Sequence, residues 1–179
     1  PSEMPSSSLT EWTFYEGQDR IPEALAPKFL SGRSSIAIID AEINKDAEGV
    51  LFAVGGTSSG FTVYMDKGLL KAEYNAMTLN RYKASSTSPI PTGKVRIEVK
   101  TQYDSNERTG PATLTLTVNG EQVAQTRIER SVPAIHTASE TFDVGIDLGS
   151  PVAMDYLDRA PFKFNGKIEK INIRYTDEK

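Results

Sequence analysis

The sequence predicts an all-β chain, two antiparallel sheets stacked as a β-sandwich of jelly-roll type, and three observations carry that prediction. Apolar and polar residues alternate with period two in short runs, the mark of strands with one dry face. Turn residues punctuate those runs, above all Asn119-Gly120 between LTLTV and EQVAQTRI, a dipeptide suited to the type I′ hairpin because both central residues need positive φ. Roughly ten to twelve such runs recur at spacings of about 8 to 12 residues, the rhythm of a sandwich rather than of alternating strands and helices.

In chain order, residues 1–11 are rich in serine and read as a linker or disordered tail, leaving residues 12–176 as a single sandwich domain. Trp12, Phe14 and Tyr15 form the first aromatic cluster and are expected to dock on the body. In QDRIPEALAPKFLS, residues 18–31, Pro22 and Pro27 interrupt any long helix. That segment is expected to run extended along a surface, with at most a turn or two of helix from Pro22 to Phe29. Strands follow from Ser34. Ile36, Ile38 and Asp40 share one face; Phe61, Val63 and Met65 oppose Thr62, Tyr64 and Asp66; Val95, Ile97 and Val99 oppose Arg96, Glu98 and Lys100; Leu114, Leu116 and Val118 alternate with threonines. GGTSSG is expected to join VLFAV to FTVYM as a loose hairpin, and Asp66-Lys67-Gly68 to return the chain as a three-residue turn. Asn165-Gly166 marks a further turn or bulge. These glycines are turn devices rather than a phosphate cradle: Phe61 stands where a phosphate loop needs lysine, and no helix follows.

A chain of 179 residues can bury a core without a metal or disulfide staple. Its 20 basic and 24 acidic residues, net charge −4, are spread without blocks of either sign, which argues against nucleic acid or an anionic membrane surface as a partner. The absence of cysteine removes disulfides, thiolate metal sites and cysteine nucleophiles, and leaves the compartment open between cytoplasm and periplasm or exterior. No apolar run approaches the ~20 residues that span a bilayer, so no membrane span is expected.

Candidate sites are few. Trp12, Tyr74, Tyr82, Tyr103 and Tyr156 could stack on a sugar ring, whose C–H face packs against a π surface; Trp12, Tyr82 and Tyr156 are the carbohydrate-binding candidates, with Tyr156 placed at the surface by its loop SPVAMDYLDRAP. Packing in the core is the competing role for each. Asp143, Asp147 and Asp155, with Asp158, concentrate carboxylates in a turn-rich stretch, so calcium is a candidate ligand there although no cofactor is required; surface acids paired with Arg159 or Lys163 are the alternative. Glu140 and Asp143 imitate a glycosidase pair, but a spacing of three puts them on opposite faces of a strand. His136 is the only histidine, which leaves no histidine-based zinc site, and no G-x-S-x-G elbow accompanies it.

GVLFAVGG, GFTVYMDKGLLKAEYN, IERSVP, FDVGIDLGSPV and FNGKIEKI, in that order, resemble the region that follows the catalytic domain in a group of bacterial arylsulfatases. The resemblance runs from about Trp12 to Ile173. It implies a concanavalin A-like, laminin-G-like jelly roll that acts as a non-catalytic C-terminal accessory domain, its partner being the sulfatase catalytic domain of the parent chain. YDSNERTG, residues 103–110, departs from the family's glycine-rich loop. Sulfatase chemistry itself is not expected of this chain. That chemistry needs a C/S-x-P/A-x-R motif, and the nearest imitation, Ser131-Val132-Pro133-Ala134-Ile135, has isoleucine where arginine is required. The alternative is a free-standing lectin-like module that binds a glycan.

Overall fold

A computed structural model describes residues 8–132 and 136–177. The linker reading of residues 1–7 and the proline of IERSVP lie outside the described residues. Twelve strands are present among the described residues: β1 (Glu11–Phe14), β2 (Ile21–Pro22), β3 (Ser35–Ile43), β4 (Gly49–Gly55), β5 (Gly60–Asp66), β6 (Leu69–Ala76), β7 (Asn80–Ser85), β8 (Gly93–Tyr103), β9 (Ala112–Val118), β10 (Glu121–Ile128), β11 (Thr141–Val144) and β12 (Lys167–Tyr175). They form two six-stranded sheets, ordered β1-β12-β3-β8-β9-β10 and β2-β11-β4-β5-β6-β7, with every neighbouring pair antiparallel. Among the described residues helix is confined to the 3₁₀ segments Glu23–Leu25 and Met154–Arg159. No helix among the described residues is long and apolar enough to cross a membrane.

The alternation in the sequence becomes the packing between the sheets. Phe61, Val63 and Met65 of β5, Val95, Ile97 and Val99 of β8, and Leu114, Leu116 and Val118 of β9 all enter one buried cluster, driven by removal of apolar surface from water. On β3 the inward residues are Ala37, Ile39, Ala41 and Ile43, and the face shared by Ile36, Ile38 and Asp40 is the outer, half-buried one. β3 is apolar on both faces, so alternation alone gives no choice between them.

Turn chemistry sets the register. Asn119 and Gly120 have φ of 49° and 85° and close Val118 onto Glu121, as the dipeptide predicts. Asp66 pairs directly with Leu69, so the DKG turn has two residues rather than three: Lys67 and Gly68, with φ of 51° and 81°, follow the same twist-matched geometry. Trp12 and Phe14 dock as expected while Tyr15 stays exposed. Residues 18–31 lie along the sandwich and drive Phe29 and Leu30, both fully buried, into its core.

VLFAV is an unbroken apolar run because both faces of β4 are covered. One face meets the other sheet. Residues 146–164 fold back over the other face, and Val152, Ala153, Tyr156 and Phe162 build a second small core on Val50, Ala53 and Tyr64.

Candidate functional site

The three aromatic candidates are structural to different degrees. Tyr156 is fully buried, which corrects its placement at the surface. Its ring stacks on Phe162 with centroids 5.1 Å apart and meets the edge of Tyr64, and its hydroxyl reaches Asp147 at 2.5 Å and Thr62 at 3.1 Å. Loop composition predicts exposure, yet this loop is the lid of the second core. Trp12 is 8% exposed; its Nε1 donates to the Leu25 carbonyl at 3.2 Å and its ring meets Tyr175 edge-on, so it pins the N-terminal strand and offers no stacking platform. Tyr82, on edge strand β7, is half-buried and stacks on Tyr74 at 6.1 Å. It alone of the three keeps a partly open ring. Tyr74 and Tyr103 are buried.

The three carboxylates of the proposed calcium group are engaged separately. Asp143, 1% exposed, accepts from the Arg20 and Leu148 backbone N–H groups and from the Thr141 hydroxyl; burial raises its pKa against those bonds. Asp147, fully buried, takes Tyr156 and the Val152 N–H on Oδ2, while Oδ1 has no hydrogen-bond partner. Burial pushes its pKa up to about 7, with Asp143 and Glu140 nearby adding to the shift. Asp155 is exposed and holds the Tyr64 hydroxyl at 2.9 Å and Lys83 at 3.0 Å. Glu140 receives Ser150. Asp143, Asp147 and Glu140 thus staple the FDVGIDLGSPV loop largely through backbone donors, while Arg159 pairs with Asp158 at 3.9 Å, as expected of the surface acids, and more closely with Asp66 at 3.0 Å. Among the described residues no three acidic or histidine side chains gather around one point.

Beneath the same lid, Glu73 is buried without exposure, ion-paired with Arg81 at 2.7 Å and Lys83 at 3.3 Å. Its Oε1 lacks an aligned hydrogen bond, so the Lys83 contact is a charge pairing only. Burying an unpaired charge costs far more than this arrangement, which explains the two cations beside it.

The stronger site candidate is a cleft of about 450 Å³ between the β6–β7 turn, the β8–β9 loop and the segment after β10. One wall is aliphatic: Met77 and Leu79 are 56% and 82% exposed, and Pro111 and Val132 face the same space. The other is polar, with Asn80, Glu107, Thr109, Glu129, Arg130 and Ser131. Glu107, Glu129 and Arg130 are exposed and form no ion pair among the described residues. A pocket with apolar wall and convergent free polar groups has the anatomy of a ligand site.

The turn that carries the aliphatic wall is strained. Met77 and Thr78 have φ of 54° and 60°, a region that costs a β-branched residue on the order of 1–3 kcal/mol. Asn75 holds it there: fully buried, it accepts from the Thr78 N–H at 2.9 Å through Oδ1 and donates to the Thr57 carbonyl at 2.7 Å. Ser59 Oγ lies 3.1 Å from the Asn75 carbonyl and 3.0 Å from His136 Nδ1, whose Nε2 donates to the Phe29 carbonyl. This serine–histidine contact is buried, 2% and 8% exposed, and links Asn75 to the Phe29 backbone. Burial holds the His136 pKa down at about 4. The opposite wall is tied by Tyr103, which donates to Ser131 at 2.6 Å, and by the Val132 N–H, which donates to Tyr74 at 2.8 Å.

Sequence reasoning marked IERSVP and YDSNERTG, which supply two sides of this cleft, but did not see Asn75, Met77 or Leu79. The available signal was an apolar pair, Met77 and Leu79, at a hairpin tip where turn chemistry favours glycine or asparagine. A second groove, about 660 Å³ between Glu16, Asp19, Gly145, Lys163 and Phe164, has no strongly exposed apolar side chain.

No family model matches the sequence, and no curated protein matches it. Solved structures share its fold. The Ruminococcus gnavus IT-sialidase CBM40 superposes with a TM-score of 0.56 at 18% identity, over 83% of this chain and 78% of that one, and the same domain has been solved bound to α2,3- and α2,6-sialyllactose. Domains LG4-5 of the mouse laminin α1 chain give 0.59 at 14% identity, over 94% of this chain and 44% of that one. The leech intramolecular trans-sialidase complexed with 2,7-anhydro-Neu5Ac gives 0.58 at 14%, over 95% of this chain and 26% of that one. At such identities the likeness establishes the fold: the chain is a jelly roll of the architecture seen in CBM40 and laminin G domains.

Proposed function

We propose that this chain is a lectin-like carbohydrate-binding module, non-catalytic by itself, that receives a glycan in the cleft beside Met77 and Leu79. The cleft carries the reading. It sets an aliphatic wall against free carboxylates, an arginine and an amide, the mixture that matches a sugar's C–H patches and hydroxyls. The sialyllactose named with the CBM40 neighbour supports a glycan as the ligand class. A glycan array followed by calorimetry on the hits tests it. Binding that drops at least tenfold in Leu79→Ser with Met77→Ser supports the cleft; hits unaffected by those changes remove it, and a flat array removes the module reading.

A second reading, the C-terminal accessory domain of an arylsulfatase, rests on the motifs IERSVP, FDVGIDLGSPV and FNGKIEKI. In that setting Met154 and Leu157, 49% and 48% exposed on the lid, give a catalytic domain something apolar to cover. It requires a C/S-x-P/A-x-R motif upstream in the same gene product. A gene product without that motif ends this reading and leaves the first untouched.

A further inference from the structure

We infer that the cleft selects an uncharged sugar bearing a methyl group, an N-acetyl hexosamine or a 6-deoxy hexose, over sialylated or sulfated sugars. The inference rests on the reading of the cleft as the glycan site. Its first support is the nature of the apolar wall. None of the described residues around the cleft is aromatic; the apolar contacts come from Met77, Leu79, Pro111 and Val132. A pyranose ring gains most from a flat π face, and that face is missing here. Aliphatic side chains on a raised, exposed tip suit a small projecting group instead. A methyl seated between Met77 and Leu79 leaves water, and so do the two side chains, which are 56% and 82% exposed in its absence. One methyl so buried is worth about fourfold in affinity.

The second support is charge. Among the cleft's lining residues Glu107 and Glu129 oppose a single cation, Arg130, and none of the three forms an ion pair among the described residues; the nearby Arg127, which feels Glu129, is itself paired with Asp104. Arg108 lies against Gly32 and does not border the cleft. The site therefore has a net charge of −1 from its own side chains, on a chain whose net charge is −4. Carboxylates are good acceptors for the hydroxyls of a neutral sugar and repel a sugar carboxylate or sulfate. Arg130 can meet one anion, but that anion then sits beside two like charges. Asn80 and Thr109 complete the set with an amide and a hydroxyl suited to an N-acetyl group; Ser131 is already committed to Tyr103 and to the Arg108 carbonyl. The wall is also built to stay in place, because buried Asn75 fixes the left-handed Met77–Thr78 turn before any ligand arrives. Preorganisation of that kind raises affinity by sparing the ordering cost.

The experiment is calorimetry of the full chain with N-acetylglucosamine, N-acetylgalactosamine, fucose and rhamnose glycosides, set against glucose and galactose glycosides, 3′-sialyllactose and a galactose 6-sulfate. The expected order is methyl-bearing neutral sugars about fourfold above the plain hexoses, with both anionic ligands about tenfold below the methyl-bearing group. Glu107→Gln with Glu129→Gln should close the gap to the anionic ligands by about tenfold. Leu79→Ser with Met77→Ser should erase the fourfold step. Sialyllactose or the sulfated sugar binding as tightly as the neutral methyl-bearing sugars overturns the selectivity and leaves the glycan site standing. A wild-type chain that binds none of these sugars, and none on a wider array, overturns the glycan site and the selectivity with it. The wild-type panel decides the matter without reliance on any variant's folding.

Discussion

Asp147→Asn tests whether the lid over the second sheet is held by a neutral carboxyl. Asp147 is fully buried, Oδ2 accepts from Tyr156 and from the Val152 N–H, and Oδ1 has no hydrogen-bond partner. Burial raises its pKa from 3.8 to about 7. In the unfolded chain the same carboxyl ionises at its ordinary value. Between about pH 4 and pH 7 the folded protein therefore keeps a proton that the unfolded chain has released, and stability from this group falls as pH rises through that window. A shift of ~3 units corresponds to about 4 kcal/mol, fully present below pH 4 and gone above pH 7, where both states are ionised. Asparagine matches the neutral carboxyl in shape, and its Oδ1 can accept both hydrogen bonds. It cannot ionise. Urea denaturation of both proteins from pH 4 to pH 8 is the assay, because titrating groups remote from Asp147 contribute alike to both and cancel in the difference, which reports Asp147 and its coupling to Asp143 and Glu140. Relative to wild type, the variant should gain about 4 kcal/mol between pH 4 and pH 8. Any loss of packing in the variant adds a constant and leaves the slope alone. A difference that stays flat across the range would refute a neutral Asp147.

His136 should give the opposite slope. Burial holds its pKa at about 4 rather than 6.5, so acidification from pH 6.5 to pH 4 protonates the unfolded chain first and destabilises the fold by about 3 kcal/mol. The stability gap between wild type and His136→Asn should shrink by that amount over the same interval; a constant gap would show that the imidazole is not held neutral. Asn75→Ala removes the bonds to Thr57 and Thr78 and should cost about 1–2 kcal/mol in urea denaturation, since it unties two part-buried backbone groups and the turn they hold. Thr78→Gly relieves the left-handed strain and should stabilise by about 1 kcal/mol, less if chain entropy takes back part of the gain. A destabilised Thr78→Gly would mean that the threonine side chain contributes something the hydrogen-bond pattern does not show.

The sequence made the sandwich legible because its information is local. Alternation in FTVYM, KVRIEVK and LTLTV assigns faces two residues apart, and Asn119-Gly120 fixes a hairpin from a dipeptide. Where a strand is apolar on both sides the same rule fails, as for β3, whose Ile36 and Ile38 face outward. VLFAV carried a further message that alternation does not express: a run buried on both faces needs a second cover, and Val152, Tyr156 and Phe162 supply it from about a hundred residues away. Tyr156 and Asp147 look like surface groups in the sequence because loop composition says nothing about which surface a loop lands on. Once the loop lands on Val50, Ala53 and Tyr64, its polar groups must be satisfied internally. The carboxylates that resemble a metal set are engaged there one by one, Asp143 and Asp147 by backbone and hydroxyl donors and Asp155 by Tyr64 and Lys83.

The cleft was out of reach for a related reason. Its three sides come from residues 76–80, 107–111 and 129–132, each unremarkable alone and adjacent only because β6, β7, β9 and β10 end at one rim. Most of its residues are also ordinary in chemistry. What distinguishes them is their company: Glu107, Glu129 and Arg130, in no ion pair among the described residues, border the same space as the exposed Met77 and Leu79. Unpaired surface charges cost the chain little, but two exposed apolar side chains held on a strained turn bring it no stability. That combination costs the folded state something, and recognition of a ligand is the physical return that would offset it.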